Sequence, residues 1–339
     1  MKASIRFLNL VILITLFGSF AIAQSLQIYA IDVEGGQATL FVTPSGQSLL
    51  IDTGWPGFGA RDADRIVAAA RDAGVKKLDY MLITHYHRDH VGGVPQLAER
   101  IPIGTFVDHG PNLQDAEDPR NDYAAYLKVA ERNHRLIVKP GDTIPLQGVK
   151  AKILTAAGER ITDPLPGAGG VNSSCGLDPE PPADAGENAR SVGALITHGK
   201  FRVIDMGDLT RKKELELFCP KNLVGKVDLF IVSHHGLSES NSKALVWALH
   251  PRVAIIDNGA HKGGHSVAWQ IIHDSPGLED LWQVHYSVDG RNDHNVAEKF
   301  IANPEGRPDA AHYIKVTAHE DGSFTVLNSR NKQGKTYSK

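Results

Sequence analysis

Three histidines and an aspartate fall within six positions, directly after an apolar segment that ends at Ile83. The apolar segment has the length and composition of a buried strand. Because residues two positions apart in an extended chain point to the same side, His85 and His87 can reach one point. Asp89 and His90 follow where the chain turns, and they can face a neighbouring point. The spacing therefore predicts a site for one or two divalent metals at the end of a strand.

Imidazole and carboxylate groups are ligands that zinc, iron and manganese all accept, so the ligand types alone do not choose among these metals. We expect zinc, at one or two ions per chain, with manganese or iron as the alternatives. A solvated turn rich in histidine is the other interpretation of the segment. Four ligand-type side chains at this spacing favour the metal site over such a turn.

Composition excludes a nucleic-acid binder that works through a strong global charge. The 339 residues are 42% apolar and 22% charged, which allows one large domain or two modest ones with a sizeable core. The net charge is −3 with the histidines neutral, so affinity for a polyanion would have to come from metals and local groups. We expect a small-molecule or phosphodiester substrate as the partner, and the sequence leaves the oligomeric state open.

The first 23 residues depart from this globular composition. Lys2 and Arg6 precede an apolar run over residues 8–20, and a small-x-small cleavage pattern ends at Ala23. These features predict a secretory signal peptide over residues 1–23. The apolar run is shorter than a comfortable membrane span, which favours cleavage over an uncleaved anchor. We therefore expect an exported mature protein, periplasmic or secreted, without a membrane segment.

The chain has two cysteines, Cys175 and Cys219. In an exported protein these side chains can form a disulfide, and two separate thiols are the alternative. A single bridge cannot build a fold of this length, so we expect the fold not to depend on it.

Residues 156–190 are rich in Gly, Pro, Ser and Asp and have no hydrophobic periodicity. This composition predicts a long loop or insertion rather than a linker between domains. Such a loop beside a metal site can act as a lid or a specificity loop, and a mobile surface excursion is the alternative.

Short strand-like segments joined by tight turns predict an antiparallel meander over residues 26–51 and a β-hairpin over residues 313–327. We expect one main domain over residues 24–303, which contains the long loop. The remaining residues, 304–339, are expected to form a C-terminal β-hairpin extension that packs on the same domain.

Four apolar strands are predicted to end in a polar side chain, at His85, Asp208, His234 and Asn258. In sheets that carry helices on their faces, functional groups gather beyond the strand ends. Each of these residues alone could be a turn residue or a helix N-cap. Because all four strands end in this way, we predict that the four side chains converge on one site.

Five short motifs in the sequence form one recognisable set. They are Asp32-Val33, Leu50-Ile51-Asp52-Thr53-Gly54, Thr84 to Gly93, Gly207-Asp208, and Ser233-His234-His235-Gly236. Together they resemble the metallo-β-lactamase superfamily, over most of the chain from about Leu26 to about Asp289. The resemblance implies an α+β fold of the metallo-β-lactamase type. In that αββα sandwich, two β-sheets pack face to face and the helices lie outside.

Within the superfamily, the chain is most similar to the soluble hydrolase domain of ComEC-type DNA-uptake proteins. The similarity is carried by the turn 32–37, Asn188 and Ser191 ahead of a hairpin, the Gly-Asp and His-His-Gly motifs, and Gly264-His265-Ser266. The group has Gly-His-Pro where this chain has Gly-His-Ser.

The resemblance also implies a set of metal ligands. They are His85 and His87 at the first metal, and Asp89, His90, Asp208 and either His234 or His235 at the second. We favour His234 over His235 because it is nearer the strand end. Asp208 is placed either at the second metal or as a bridge between the two. Asp89 and Asp208 are the catalytic candidates, since either could hold the nucleophilic water or move its proton.

Many members of the superfamily have a further histidine between the first motif and the Gly-Asp. No clear counterpart stands in this sequence, although His109 follows a strand and is a possible ligand. The ComEC-type group has Asn or Ser near that place. The first metal is therefore expected to be weakly held or absent, and the second site is the safer prediction.

Five further residues are candidates for contact with the substrate or support of a ligand. Asp52 is expected to orient a ligand or cap a turn, and His265 to contact substrate or cap a helix. The others are Asn188, Ser191 and Asn258.

The resemblance implies a metal-dependent hydrolase that activates water, and the expected substrate is a phosphodiester or another phosphate ester. A lactone, β-lactam or thioester hydrolase is one alternative, because function lies in loops grafted onto the fold. A non-catalytic exported module that binds a metal or a ligand is the other. The missing histidine is the best support for that last interpretation.

Overall fold

The structure of the protein is a computed structural model. It describes residues 25–113, 117–290, 292–305 and 311–339. The expected signal peptide over residues 1–23 lies outside these ranges. Among the helices within them, none is long and apolar enough to cross a membrane.

Strands and helices alternate along most of the described chain. The strands are β1 (Leu26–Ala30), β2 (Thr39–Val42), β3 (Ser48–Ile51), β4 (Leu78–Leu82), β5 (Ile103–Asp108), β6 (His134–Ile137), β7 (Thr143–Ile144), β8 (Lys150–Ala156), β9 (Glu159–Arg160), β10 (Gly193–His198), β11 (Phe201–Asp205), β12 (Leu229–Ile231), β13 (Val253–Ile256), β14 (Asp280–His285), β15 (Ile301–Asn303), β16 (Ile314–Ala318), β17 (Phe324–Asn328) and β18 (Gly334–Tyr337). The α-helices are α1 (Arg61–Asp72), α2 (Arg88–Val91), α3 (Val94–Ala98), α4 (Glu117–Ala130), α5 (Arg211–Phe218), α6 (Lys243–Leu249) and α7 (Ser266–His273).

The strands form two mixed sheets. The first sheet has the order β18-β17-β16-β1-β2-β3-β4-β5-β6, antiparallel from β18 to β3 and parallel from β3 to β6. The second has the order β15-β14-β13-β12-β11-β10-β8-β7, parallel from β15 to β11 and antiparallel beyond. Short β9 pairs with β8 at one end.

The apolar core lies in three layers, because the strands are buried on both faces. In β3, Leu49 and Ile51 point into the core between the two sheets, whereas Leu50 points to the helix side, where Ile66 of α1 packs. Alternate side chains of a strand point to opposite faces, so a strand between two layers is apolar throughout. This explains the continuous apolar run in β3.

The second sheet repeats the arrangement on its own side. In β12, Leu229 and Ile231 face the core between the sheets, and Phe230 faces the helices. Leu217 of α5 and Leu245 of α6 pack in that outer cluster. The expected αββα sandwich is confirmed, and so is the antiparallel meander of β1, β2 and β3.

Five strands were not predicted from the sequence: β7, β9, β14, β15 and β18. In β14, polar residues such as Asp280 and Gln283 flank Trp282, whose side chain is fully buried between the sheets. The C-terminal hairpin is formed by β16 and β17, and β16 pairs with β1 with Leu26 opposite Ala318. The domain division at residue 303 stays a prediction.

The long segment 156–190 is largely irregular, as expected, and it is tied to the second helix layer. Cys175 forms a disulfide with Cys219, at the end of α5, with their Cα atoms 5.9 Å apart. Backbone hydrogen bonds add to the attachment, for example from the amide of Leu165 to the carbonyl of Leu223 at 2.9 Å. The structure therefore answers the question of pairing that the sequence left open.

We expect the double variant Cys175→Ala/Cys219→Ala to fold but to lose about 3–4 kcal/mol of unfolding free energy, because the bridge closes a loop of 44 residues. Urea denaturation of the variant and of the oxidised wild type measures the difference. Wild-type protein under reducing conditions is the control and should match the variant. An unchanged urea midpoint in the variant would contradict a stabilising bridge.

Candidate metal centre

The first ligand pair is built by the extended chain beyond β4. The amide of Ile83 still bonds to the carbonyl of Val107 in β5, which keeps the chain in the plane of the sheet. His85 and His87 therefore point to the same side, and Nε2 of His85 lies 3.0 Å from Nδ1 of His87. The predicted common direction of these two imidazoles is confirmed.

A second group of ligand atoms lies beside this pair. One atom each of Asp89, His90, Asp208 and His235 lies within 4.8 Å of all the others, and all four residues are buried. Nε2 of His235 is 3.2 Å from Nε2 of His90 and 3.2 Å from Oδ2 of Asp89. Two imidazole nitrogens this close to each other and to a carboxylate are well placed to share one cation.

Asp208 belongs to both groups. Its Oδ2 lies 3.2 Å from Nε2 of His90 and 3.8 Å from Nε2 of His85, and its Oδ1 lies 3.6 Å from Nε2 of His235. A second set of atoms within 4.8 Å of one another therefore consists of His85, His87 and Asp208. The geometry is that of a carboxylate between two neighbouring ligand sets.

His235, not His234, joins Asp89 and His90, which corrects the preference for His234. The turn over Ser233–Gly236 puts both histidines in the left-handed region, with φ of 53° and 52°. Two successive left-handed residues reverse the chain, so position relative to the strand end does not decide which ring faces inward. His234 instead points its Nε2 at Oδ2 of Asp208, 3.3 Å away, from the outer side of the site.

A buried carboxylate lies beside each of the two inner imidazoles, and the one beside His90 forms a hydrogen bond with it. Asp52, fully buried directly after β3, accepts hydrogen bonds from Nδ1 of His90 at 2.7 Å and from Oγ1 of Thr84 at 2.6 Å. The hydrogen bond between Asp52 and His90 supports the prediction that Asp52 orients a ligand. On the other side, Oδ2 of Asp257 lies 3.5 Å from Nδ1 of His235. The sequence interpretation chose the next residue, Asn258, and missed Asp257.

Electrostatics favour the metal-binding form of some of these groups only. At His90 and His235, burial lowers the pKa, but the facing carboxylates outweigh burial and raise the pKa, so a metal bound there must displace protons. Burial opposes the charge of Asp208, but the imidazoles of His90, His234 and His235 outweigh it and hold the pKa of Asp208 well below its usual range. Burial lowers the pKa of His85 well below its usual range. An ionised carboxylate and a neutral imidazole are the ligand forms that bind metals.

The cluster also contains a buried ligand oxygen that has no hydrogen-bond partner in the described part of the chain, as expected of an atom that binds a metal. Oδ1 of Asp208 is buried and accepts no hydrogen bond from the residues that the structure describes. A buried carboxylate oxygen left unpaired costs free energy. Imidazole and carboxylate donors are ligands that zinc, manganese and iron accept. The cluster therefore fits one divalent metal at Asp89, His90 and His235, and a second at His85 and His87, with Asp208 between them.

Three candidates on the long-loop side lie around this cluster rather than in it. Nδ2 of Asn188 is 3.4 Å from Nε2 of His234, so Asn188 lines the outer edge of the site. Ser191 is buried, and its amide bonds to the carbonyl of Asn188. Nε2 of His109 lies 2.7 Å from Oε1 of Glu187. His109 therefore contacts Glu187 and belongs to neither ligand group. Glu187, also buried, was not singled out in the sequence.

Two other candidates have structural contacts. Asn258 is buried and donates to the carbonyls of Gly259 and His285, so it joins two loops instead of facing the ligands. The predicted convergence of four strand ends thus fails for Asn258. His265 stands at the N-cap position of α7, but its side chain makes no capping bond. Its Nδ1 lies 3.3 Å from Oγ of Ser238.

One cation at the site was not anticipated. Lys262, in the loop between β13 and α7, forms an ion pair with Oδ2 of Asp89. Its ammonium also lies 4.9 Å from the centroid of the Trp55 ring. The sequence does not predict this contact, because a single lysine in a Gly-rich loop is not a motif and the two residues are 173 positions apart.

A cavity of about 590 Å³ opens beside the outer edge of the ligand cluster. Asn188 and His234 form its inner end, Thr210 and Arg211 lie at the start of α5, and residues 179–184 of the long loop form a proline-rich wall. The disulfide-tethered segment therefore provides one side of the space next to the ligands.

A sequence model of the metallo-β-lactamase superfamily matches residues 31–179, which include the segment from His85 to His90. Over residues 31–179 the chain belongs to the metallo-β-lactamase superfamily. Its sandwich is the metallo-β-lactamase fold, and its ligand cluster lies at the strand ends where the superfamily motifs stand. Superfamily members are mostly metal-dependent hydrolases.

Two relatives match much of the chain. Recombination protein 2 of Haemophilus influenzae is 27% identical over 235 residues, which is 69% of this chain and 24% of the relative. ComE operon protein 3 of Bacillus subtilis is 24% identical over 194 residues, which is 57% of this chain and 21% of the relative. The expected likeness to ComEC-type proteins is confirmed, although the chain spans about a quarter or less of their length.

A shorter stretch is similar to a hydrolase of another kind. The hydroxyacylglutathione hydrolase of Rhodopseudomonas palustris is 33% identical over 86 residues, which is 25% of this chain and 33% of the relative. This short match does not choose a substrate for the chain.

We expect Asp52→Asn to weaken metal binding about 10–100-fold, because an amide holds Nδ1 of His90 less firmly than a carboxylate does. Competition with a chelator of known affinity measures the change. Asp228→Asn is the matched control, since Asp228 is also buried and accepts a backbone amide bond, from Arg202, away from the site. Equal metal affinity in Asp52→Asn and wild type would contradict the orienting role.

A third group of ligand-type side chains, Asp32, Glu34 and His285, is an ion-pair network. Asp32 accepts a hydrogen bond from Arg65 at 2.8 Å and lies 2.8 Å from Nε2 of His285. Burial alone would lower the pKa of His285, but the two carboxylates outweigh burial and raise the pKa to about 9. Because Arg65 already supplies a positive charge to the carboxylates, we interpret this group as a structural ion-pair network and not as a metal site.

The raised pKa of His285 gives a stability prediction. The folded pKa of about 9 lies above the unfolded value near 6.5, so the stabilisation is complete below about pH 6.5 and is lost as the pH rises through about 9. We expect a loss on the order of 2 kcal/mol between pH 6.5 and 10, measured by urea denaturation. Other groups titrate in that range, so His285→Gln is the control. A variant that loses as much as wild type would contradict this role for His285.

Proposed function

We propose that the protein is an exported metal-dependent hydrolase whose substrate is a phosphodiester or another phosphate ester. The observation that carries the proposal is the convergence of six buried or half-buried ligand side chains on two adjoining points. These side chains are His85, His87, Asp89, His90, Asp208 and His235. Membership of a superfamily made up mostly of metallo-hydrolases supports a catalytic role for such a cluster.

The side chains of the site have different roles in the proposed hydrolysis. A divalent metal held by these imidazole and carboxylate groups would supply Lewis acidity and would make water a nucleophile near neutral pH. The chain keeps these ligands buried, which excludes bulk water and strengthens electrostatic interactions in the site. Asp89 and Asp208 are the carboxylates that would position the attacking water, since both are buried within the ligand cluster.

The substrate class rests on charge and on similarity. Two of the relatives that match more than half of the chain are of the ComEC type, and that resemblance implies phosphodiester cleavage. Lys262 supplies positive charge next to the ligand cluster, and Arg211 supplies it in the adjoining cavity. The net charge of −3 argues against tight binding of long nucleic acid, so a small phosphate ester fits better.

Export is supported by two features. The N-terminal sequence has the pattern of a cleaved signal peptide. The Cys175–Cys219 disulfide suits an oxidising compartment such as the periplasm or the exterior.

A thioester hydrolase is the second candidate, favoured by the 86-residue similarity to hydroxyacylglutathione hydrolase. The superfamily core serves both reactions, since the bond that is cleaved is selected by loops around the metals. A panel with one phosphodiester, one thioester and one β-lactam distinguishes the candidates.

We expect elemental analysis of the mature protein to give about two metals per chain and turnover of bis(4-nitrophenyl) phosphate. Asp208→Ala should lose both metals, because Asp208 belongs to both ligand groups, and His87→Ala should lose one. His273→Ala is the control, since His273 is exposed and paired with Asp274 away from the site.

The other outcomes each change the proposal in a defined way. One metal per chain, lost with Asp208→Ala and kept with His87→Ala, would restrict the centre to Asp89, His90, Asp208 and His235. Turnover of the thioester alone would replace the phosphate ester by the second candidate. A protein that binds no metal even after reconstitution would overturn the hydrolase and leave a binding module.

A further inference from the structure

Lys262 is a cationic side chain in direct contact with one of the candidate metal ligands. Its ammonium meets Oδ2 of Asp89 on one side and the Trp55 ring, 4.9 Å away, on another. The side chain is 29% exposed, so solvent reaches part of it although its ammonium contacts a buried carboxylate. A cation in this place is accessible to a substrate that lies over the metals.

The loop that carries Lys262 is held at both of its ends. The amide of Gly259 bonds to the carbonyl of Lys262 at 2.8 Å, and the amide of Gly264 bonds to the carbonyl of His235 at 2.8 Å. The turn on the opposite side fits closely, since a Cβ at Gly35 would lie 2.8 Å from the Cβ of Lys262. The backbone position of Lys262 is therefore fixed relative to the ligand His235.

The charge balance changes when the site is loaded. Asp89 is a member of the ligand group, so a divalent cation there competes directly with the ammonium for the same oxygen. Two like charges at this range repel each other strongly in a buried site. The flexible four-carbon side chain can then turn its ammonium to another anion within reach. An anionic substrate group over the cluster is the natural partner.

We propose that Lys262 binds an anionic oxygen of the substrate and makes the site selective for phosphate esters over neutral esters, lactones and thioesters. The inference rests on the proposed function and names the residue that determines its substrate class. An ammonium hydrogen bond to a phosphate oxygen is charge-assisted and stronger than a neutral one. A neutral ester offers no such partner, so its binding gains nothing from Lys262.

A purely structural lysine would behave differently, and the chain offers a matched control. Lys315 in β16 lies 4.7 Å from the centroid of the Tyr29 ring and 3.8 Å from a carboxylate oxygen of Asp72. It has the same two kinds of contact as Lys262 but lies outside the ligand cluster. Lys315→Met therefore measures the effect of losing such a lysine without touching the site.

The test uses the metal-loaded mature chain with Lys262→Met, Lys262→Arg and Lys315→Met. Calorimetric titration with inorganic phosphate gives a readout independent of turnover. We expect the phosphate dissociation constant of Lys262→Met to rise about tenfold or more, with Lys262→Arg close to wild type and Lys315→Met unchanged. The KM for bis(4-nitrophenyl) phosphate should rise in Lys262→Met, while kcat/KM for 4-nitrophenyl acetate stays as in wild type.

Three results would overturn the inference. The first is equal phosphate affinity in Lys262→Met and wild type. The second is an equal loss of kcat/KM for both substrates, which indicates a structural role. The third is a gain of one metal per chain in Lys262→Met, which would mean that the ammonium replaces a metal. If wild type turns over no ester at all, the proposed function fails, and the phosphate titration still decides the role of Lys262.

Discussion

The close approach of the two sheets at Thr84 and Gly207 is the constraint on which the site depends. A Cβ at Gly207, whose φ is 53°, would lie 2.8 Å from the Cβ of Thr84. A backbone hydrogen bond also joins the two sheets here, from the amide of Val192 to the carbonyl of Thr84 at 2.8 Å. Asp208 comes from the second sheet and its partners His85 and His90 from the first. Without this contact, Asp208 could not reach both ligand groups.

The site concentrates features that lower the stability of a fold. Asp52, His234 and His235 all have left-handed backbone conformations, which cost free energy in residues other than glycine. Asp257 is buried with no hydrogen-bond partner for either oxygen in the described structure. Such features persist where the surrounding core is strong enough to hold them, and they cluster at functional sites. The apolar layers on both faces of each sheet supply that support here.

The sequence determined the local half of the site. The two-residue spacing of His85 and His87 fixes their common direction as soon as the chain beyond β4 is extended, because side-chain direction follows backbone geometry. The apolar runs before these residues and before Asp208 likewise fixed which strands are buried, and so where their ends lie. The two-sheet architecture was predicted from the family resemblance of the motifs. Hydrophobic periodicity predicts where strands lie, but it does not predict which strands pair with each other.

Only the tertiary structure decided which side chains meet. His235 rather than His234 faces the ligands because two left-handed residues reverse the chain, and strand patterns do not encode that turn. Asn258 turns to a neighbouring loop, whereas Lys262 reaches Asp89 across 173 residues of sequence. The pairing of the two cysteines also depends on how the long loop packs. Sequence spacing sets directions along one strand, but contacts between distant segments arise only when the sheets and their loops pack together.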